Sequence, residues 1–266
     1  MTSLRELRAL IVDMDGVLYR GSTPLPGAQA FLDWLAERGF PHLLLTNNST
    51  LEPQAYERKL AAMGIHVPAT RILTSGVATA DYLAHNFPPR TRVFVIGESG
   101  LVSRVAEQGF TLTDREPQVV VVGMDRAFNY AKLRTAALAI RAGARFVATN
   151  PDRTLPTEAG DEPGAGSIIA ALEAATSKTP LVIGKPEPYM LEMALTRLKQ
   201  PPELSAVLGD RLETDILGAQ RLGLPSILVL SGVTREAPPK SSNVQPTWVF
   251  GSVEELFAAW RRSLRA

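Results

Sequence analysis

Cysteine is absent from the 266 residues, which excludes disulfides, thiolate nucleophiles and cysteine-ligated zinc. Histidine is almost as scarce: His42, His66 and His85 are the whole supply, and none stands in a polar cluster from which a serine hydrolase could be built. Charge of one sign is also lacking, since 28 lysines and arginines face 27 acids. No basic excess points to nucleic acid, and no charge block suggests an interaction tail. The cluster Arg261, Arg262 and Arg265 reads as the solvated face of a C-terminal helix. No run approaches the roughly 18 consecutive apolar residues of a membrane span. The first apolar run ends in Asp13, too early for the core of a signal peptide. A soluble cytoplasmic protein is expected, with no nucleic-acid or membrane partner.

Two familiar fingerprints are missing as well. Around Gly164 and Gly166 the pattern G-x-G-x-x-G fails because Ile169 occupies the sixth place, which leaves no usable dinucleotide motif. The stretch Gly97-Glu98-Ser99-Gly100-Leu101 misses the nucleophile elbow G-x-S-x-G at its last residue.

What recurs instead is a short apolar run, a polar or glycine-containing turn, and a helical stretch. The runs are residues 10–12, 43–45, 72–73, 93–96, 119–122, 146–148, 181–183, 206–208, 227–230 and 248–250. Between them lie helical patterns such as 28–38 closed by Gly39, 129–142, 187–198, 215–222 closed by Gly223, and a last helix opening Ser252-Val253-Glu254-Glu255 in the form of a capping box. Strands alternating with helices define an α/β protein with parallel sheet. The residues after the runs matter most, because open parallel sheets bind ligands beyond the carboxyl ends of their strands.

After the first run come Asp13 and Asp15, with Gly16 to bend the chain; after the second, Thr46, Asn47, Asn48 and Ser49; after the run at 181–183, Gly184 and Lys185; after 206–208, Gly209, Asp210 and then Asp215. In extended chain the side chains at i and i+2 point the same way, so Asp13 and Asp15 leave the strand end together. Two such charges need a cation, a shared proton or solvent. Carboxylates and backbone carbonyls suit a hard cation such as Mg²⁺, which takes one or two carboxylates and substrate phosphate. Asp13 and Asp210 can supply these, while Lys185 and the Thr46 hydroxyl hold phosphate oxygens. Asn48, a turn residue by type, stands beside Thr46 where substrate would be, and Asp215 is suited either to start a helix or to support the site. Without cysteine or a placed histidine, an aspartate is the available nucleophile: one carboxylate attacks phosphorus, and a second protonates the leaving oxygen and later activates water. The stretch 82–180 carries none of the four clusters yet has apolar runs of its own. It is read as a domain inserted between two halves of one core, 1–81 and 181–266.

These clusters resemble the four motifs of the haloacid dehalogenase (HAD) phosphatases: Asp13-Met14-Asp15-Gly16-Val17-Leu18, Leu45-Thr46-Asn47-Asn48-Ser49, Gly184-Lys185-Pro186-Glu187-Pro188, and Gly209-Asp210 through Asp215-Ile216. The wide gap between the second and third is similar to the subgroup with a C2-type α/β cap. Gly123-Met124-Asp125, Thr149-Asn150-Pro151-Asp152 and Pro163-Gly164-Ala165-Gly166 resemble the NagD-like, p-nitrophenyl phosphatase-like subfamily. The resemblance implies a Rossmann-like core whose active site is covered by the cap. It further implies Asp13 as nucleophile and metal ligand, and Asp15 as general acid/base giving its backbone carbonyl to Mg²⁺. Thr46 and the Asn47 backbone would hold the phosphoryl group, Lys185 would neutralise it, and Asp210 would ligate Mg²⁺ with Asp215 in support. The expected substrate is a small-molecule phosphate monoester, a sugar or nucleotide phosphate. A phosphotransferase or phosphomutase working through the same aspartyl-phosphate is the alternative.

Overall fold

The structure is a computed structural model and describes residues 3–157 and 160–264; Arg265 lies outside them. Six of the apolar runs build one sheet, in spatial order Trp248–Phe250, Ser226–Val229, Ser205–Gly209, Ala9–Asp13, His42–Thr46 and Ile72–Thr74. Ala9–Asp13 lies inside it, parallel to Ser205–Gly209 on one side and to His42–Thr46 on the other. Ser226–Val229 runs parallel to both Ser205–Gly209 and Trp248–Phe250. Sheets of this kind are covered on both faces, which is why their strands read as unbroken apolar runs. Leu10, Ile11 and Val12 are accordingly sealed from solvent.

A second, five-stranded sheet is ordered Leu181–Val182, Arg145–Ala148, Val119–Val122, Arg92–Ile96 and Thr111–Leu112, again with parallel neighbours. Val120, Val122, Ile96 and Phe146 pack with Ile140 of the helix Tyr130–Arg141 and with Ile168 and Leu172 of the helix Ala165–Thr176. Asn129 starts the first of these helices, its side chain accepting a hydrogen bond from Lys132 N at 3.1 Å. The α/β class is therefore as expected: a parallel core sheet and a separate α/β cap.

The return to the core falls later than the sequence suggests. The run at 181–183 reads as a core strand, but Leu181 pairs with Val147 and Val182 with Ala148 in the second sheet. Ile183 N and Gly184 N continue the ladder to Ala148 O and Thr149 O at 3.0 and 2.9 Å. By internal packing the chain falls into two compact units. One contains the described residues up to Thr46, Tyr56–Leu73 and those from Lys185 on; the other contains Asn47–Ala55 and Thr74–Gly184. An apolar run of three carries no mark of which sheet it joins, so the expected limits at 82 and 180 differ from these.

The last helix, Val253–Ser263, packs on Ala28–Glu37. Ser252 accepts from Glu255 N at 3.3 Å, while the Glu255 carboxylate reaches back to Gly251 N at 2.6 Å, one residue before the position a capping box uses. Between the helices Trp260 stands 5.4 Å from Phe40, 5.6 Å from Trp34 and 6.2 Å from Phe31, ring centre to ring centre. It fills one end of the core at 2% exposure. Among the described residues no helix is long and apolar enough to cross a membrane. Trp260→Ala should lower the free energy of unfolding by about 3–5 kcal/mol, the cost of a large aromatic replaced by a cavity, as measured by urea denaturation.

Candidate active site

The strand Ala9–Asp13 stops where its apolar run stops, and the chain then folds back on itself. Leu18 N donates to Met14 O and Gly16 N to Tyr19 O, both at 2.8 Å, with Gly16 at φ +79°. Asp13 thus stands at the carboxyl edge of the sheet, opposite Leu45 in register. Thr46, the next residue along the neighbouring strand, is buried there.

Lys185 reaches the same edge. Its ammonium donates to Asp13 Oδ1 at 2.6 Å and to Asp215 Oδ1 at 2.5 Å. Asp215 is held in turn by Arg211 N, which donates to Oδ2 at 3.2 Å. Only glycine serves at 209, because a Cβ there would come within 2.2 Å of the Asp215 carboxyl carbon. Lys185 is 2% exposed. Burial alone would drive its proton off, but the carboxylates of Asp13 and Asp215 outweigh that, and its pKa ends above the ordinary lysine value. It is a fixed positive charge.

Asp210 follows the strand Ser205–Gly209 and completes the group. Carboxylate oxygens of Asp13, Asp210 and Asp215 lie within 4.8 Å of one another. Burial, with the Asp13–Lys185 pair opposing it, leaves Asp13 well above the ordinary carboxyl range, and Asp215 and Asp210 add repulsion. Burial and the nearby Asp215 push Asp210 up to about 7. Asp210 Oδ2 accepts from Val233 N at 2.6 Å, whereas Oδ1 is buried and has no hydrogen-bond partner among the described residues. A Cβ on Gly232 would sit 1.8 Å from Asp210 Oδ2, so the backbone there closes tightly around the carboxylate. Three acids against one lysine leave negative charge that a hard divalent cation would neutralise, and the orphaned Asp210 oxygen is a ready ligand. The donor set fits such a cation.

Asp15 lies outside this trio, partly buried on the turn. Burial raises its pKa, with Lys59, Arg211 and Arg20 pulling the other way. Asn47 and Asn48, expected beside Thr46, pack with the second unit. The Asn47 amide donates to both Asp152 oxygens at 3.2 Å, and its carbonyl accepts from Asn150 Nδ2 at 2.7 Å and from Ser75 Oγ. The Asn48 side-chain oxygen accepts from Thr50 N and Thr50 Oγ1 at 2.8 and 2.7 Å, a local turn contact. Sequence reading passed over Tyr19, Tyr56 and Lys59. The Tyr56 hydroxyl is hydrogen-bonded to the Thr46 side chain, and Lys59 sits over both rings. The spacing of Tyr56 and Lys59, i and i+3 on the helix Pro53–Ala62, is the available signal.

Acids and a buried lysine gathered at the carboxyl edge of a parallel core sheet define a class: α/β enzymes that handle phosphoryl groups. Comparison with known proteins narrows it. Residues 10–111 match the model of the haloacid dehalogenase-like hydrolases, and residues 182–256 that of the HAD-hydrolase-like family. The acid sugar phosphatase of Staphylococcus saprophyticus is 38% identical over 254 residues, covering 95% of this chain and 98% of that protein. The structure of NagD from E. coli K-12 superposes with a TM-score of 0.87 at 36% identity, over 94% of this chain and 98% of that one. A glycerol phosphate phosphatase from Mycobacterium tuberculosis in complex with magnesium gives a TM-score of 0.87 at 35% identity, over 96% and 78% of the two chains. The chain belongs to the haloacid dehalogenase-like hydrolases, in their NagD-like branch, and is a phosphatase of that type.

The raised pKa of Asp210 has a consequence for the metal-free protein. The unfolded chain releases this proton near the ordinary 3.8, the folded one near 7. The contribution is therefore complete below the lower value and lost as pH rises through the higher. In EDTA, wild type should lose melting temperature between pH 5 and pH 8 relative to Asp210→Asn. Mg²⁺ at pH 8 should restore wild type and leave Asp210→Asn unmoved.

Proposed function

We propose that the chain hydrolyses small phosphate monoesters, sugar or glycerol phosphates among them, through a phosphoryl group carried on Asp13. The observation that carries the reading is the Asp13–Lys185–Asp215 chain of charge-assisted hydrogen bonds beside Asp210, at the edge where a parallel sheet binds its ligands. Binding alone requires no carboxylate poised against a buried, permanently charged lysine.

In the first half of the reaction an Asp13 oxygen attacks phosphorus, the phosphorus–oxygen ester bond breaks, and the leaving oxygen takes the Asp15 proton. In the second half the Asp15 carboxylate takes a proton from water, whose oxygen attacks the phosphorus. Phosphate leaves and the Asp13 carboxylate is regenerated. Thr46 and the backbone of Asn47 bind phosphoryl oxygens, with Asn48 beside them. Lys185 meets the charge that spreads over those oxygens in the transition state, oriented in advance by Asp215. Asp13, Asp210 and the Asp15 carbonyl would hold Mg²⁺, which supplies further neutralisation of phosphoryl charge when bound. Substrate choice is assigned to the inserted segment, 82–180 on the sequence reading. Support for the ion and the substrate class comes from the magnesium complex of the glycerol phosphate phosphatase and from the acid sugar phosphatase, both similar over most of their length.

Turnover of p-nitrophenyl phosphate with Mg²⁺ tests the reading directly. Asp13→Asn should abolish it, and Lys185→Ala should lower kcat by about 10²–10³, the range for one preorganised electrostatic group. Normal turnover by Asp13→Asn would overturn the assignment of the nucleophile, and an unchanged rate in Lys185→Ala that of the lysine.

A further inference from the structure

A second lysine in the core unit stands close to the chemistry without touching the acid trio. Lys59 lies on the helix Pro53–Ala62, half-buried, with its Nζ 4.5 Å from the centre of the Tyr19 ring and 5.9 Å from that of Tyr56. Both rings are buried, at 2% and 1% exposure. No ion pair or hydrogen bond holds the ammonium among the described residues; ring faces hold it instead. A lysine free to reach water normally does so. This one is drawn inward.

The ring under it belongs to the turn that carries Asp15. Tyr19 forms a bridge with Asp15, and its carbonyl accepts from Gly16 N at 2.8 Å. Tyr56 ties the same helix to Thr46. The Lys59 ammonium therefore connects the turn bearing the acid with the strand end bearing Thr46. Charge agrees with placement. Burial lowers the Lys59 pKa, and the one group pulling it back up is Asp15.

We propose that Lys59 is a positioning residue: clamped over Tyr19 and Tyr56, it fixes the turn that carries Asp15 and so aims that acid at the leaving-group oxygen. This rests on Asp15 being the general acid. It is a division of labour between two lysines, with Lys185 serving the phosphoryl group and Lys59 the acid that releases the alcohol.

Leaving groups separate the two roles. Glycerol is a poor leaving group and needs its proton as the bond breaks, whereas p-nitrophenolate departs without one. kcat/KM reports the steps up to the phosphoenzyme, before the water reaction common to both substrates. Lys59→Met should lose about tenfold more kcat/KM on glycerol phosphate than on p-nitrophenyl phosphate, a fraction of the 10²–10⁴ that a general acid supplies. Lys59→Arg, which keeps charge and ring contact, should recover most of the glycerol phosphate rate. Equal losses on both substrates, no loss on either, or an arginine variant as poor as the methionine one would each overturn the proposal. Asp15→Asn, run alongside, separates the levels. If it shows the substrate-dependent loss and Lys59→Met does not, positioning fails and the acid stands; if it shows none, Asp15 is not the acid and both readings fall. Melting temperatures establish that each variant is folded, and Lys59→Gln replaces a methionine variant that is not, under the same criteria.

Discussion

A single buried ammonium organises the centre of this protein. Lys185 has almost no contact with solvent and two carboxylates within hydrogen-bonding distance. Buried charge is costly unless its partners are well placed, and removing one partner leaves another uncompensated. Each partner is therefore fixed by other parts of the fold. Asp13 sits on an internal strand of the sheet, Asp215 beside a glycine that leaves it room, and Arg211 N on the far oxygen of Asp215. One lysine still cannot balance three acids, and that deficit makes the centre receptive to a cation.

Much of this was legible in the amino-acid sequence, for a physical reason. Strands buried on both faces must be apolar throughout, so an aspartate at or just past the end of such a run is conspicuous: Asp13 ends one strand and Asp210 follows another. What stayed hidden has no periodicity to reveal it. The strands Tyr19–Arg20 and Thr23–Pro24 have two residues each, and the antiparallel pair Thr154–Thr157 and Gly160–Pro163 is polar and rich in turn formers. The sheet to which Leu181–Val182 belongs is decided by long-range pairing with Val147 and Ala148, which the local residues do not encode. Lys59 was invisible for the same reason. Its meaning depends on Tyr19, distant in the chain, and only the neighbouring Tyr56 hints at it.

The second cluster, Thr46 to Ser49, illustrates how a contiguous motif can serve two masters. Thr46 ends a core strand and meets Tyr56, while Asn47 and Asn48 spend their side chains on Asp152 and Thr50 within the second unit. An asparagine amide can serve a bound anion or the packing of its own domain. Residue type alone cannot distinguish the two uses, because the side chain that looks chemical is the part already committed.

The enclosure of Lys185 also bears on chemical labelling. Acylating reagents attack the neutral amine, and this one is both kept protonated and shut away from bulk solution. Exhaustive modification of the surface lysines would leave it unmarked in the native fold. Its first appearance in a peptide map would then report the opening of the core itself, making this buried ammonium an internal gauge of when the sheet comes apart.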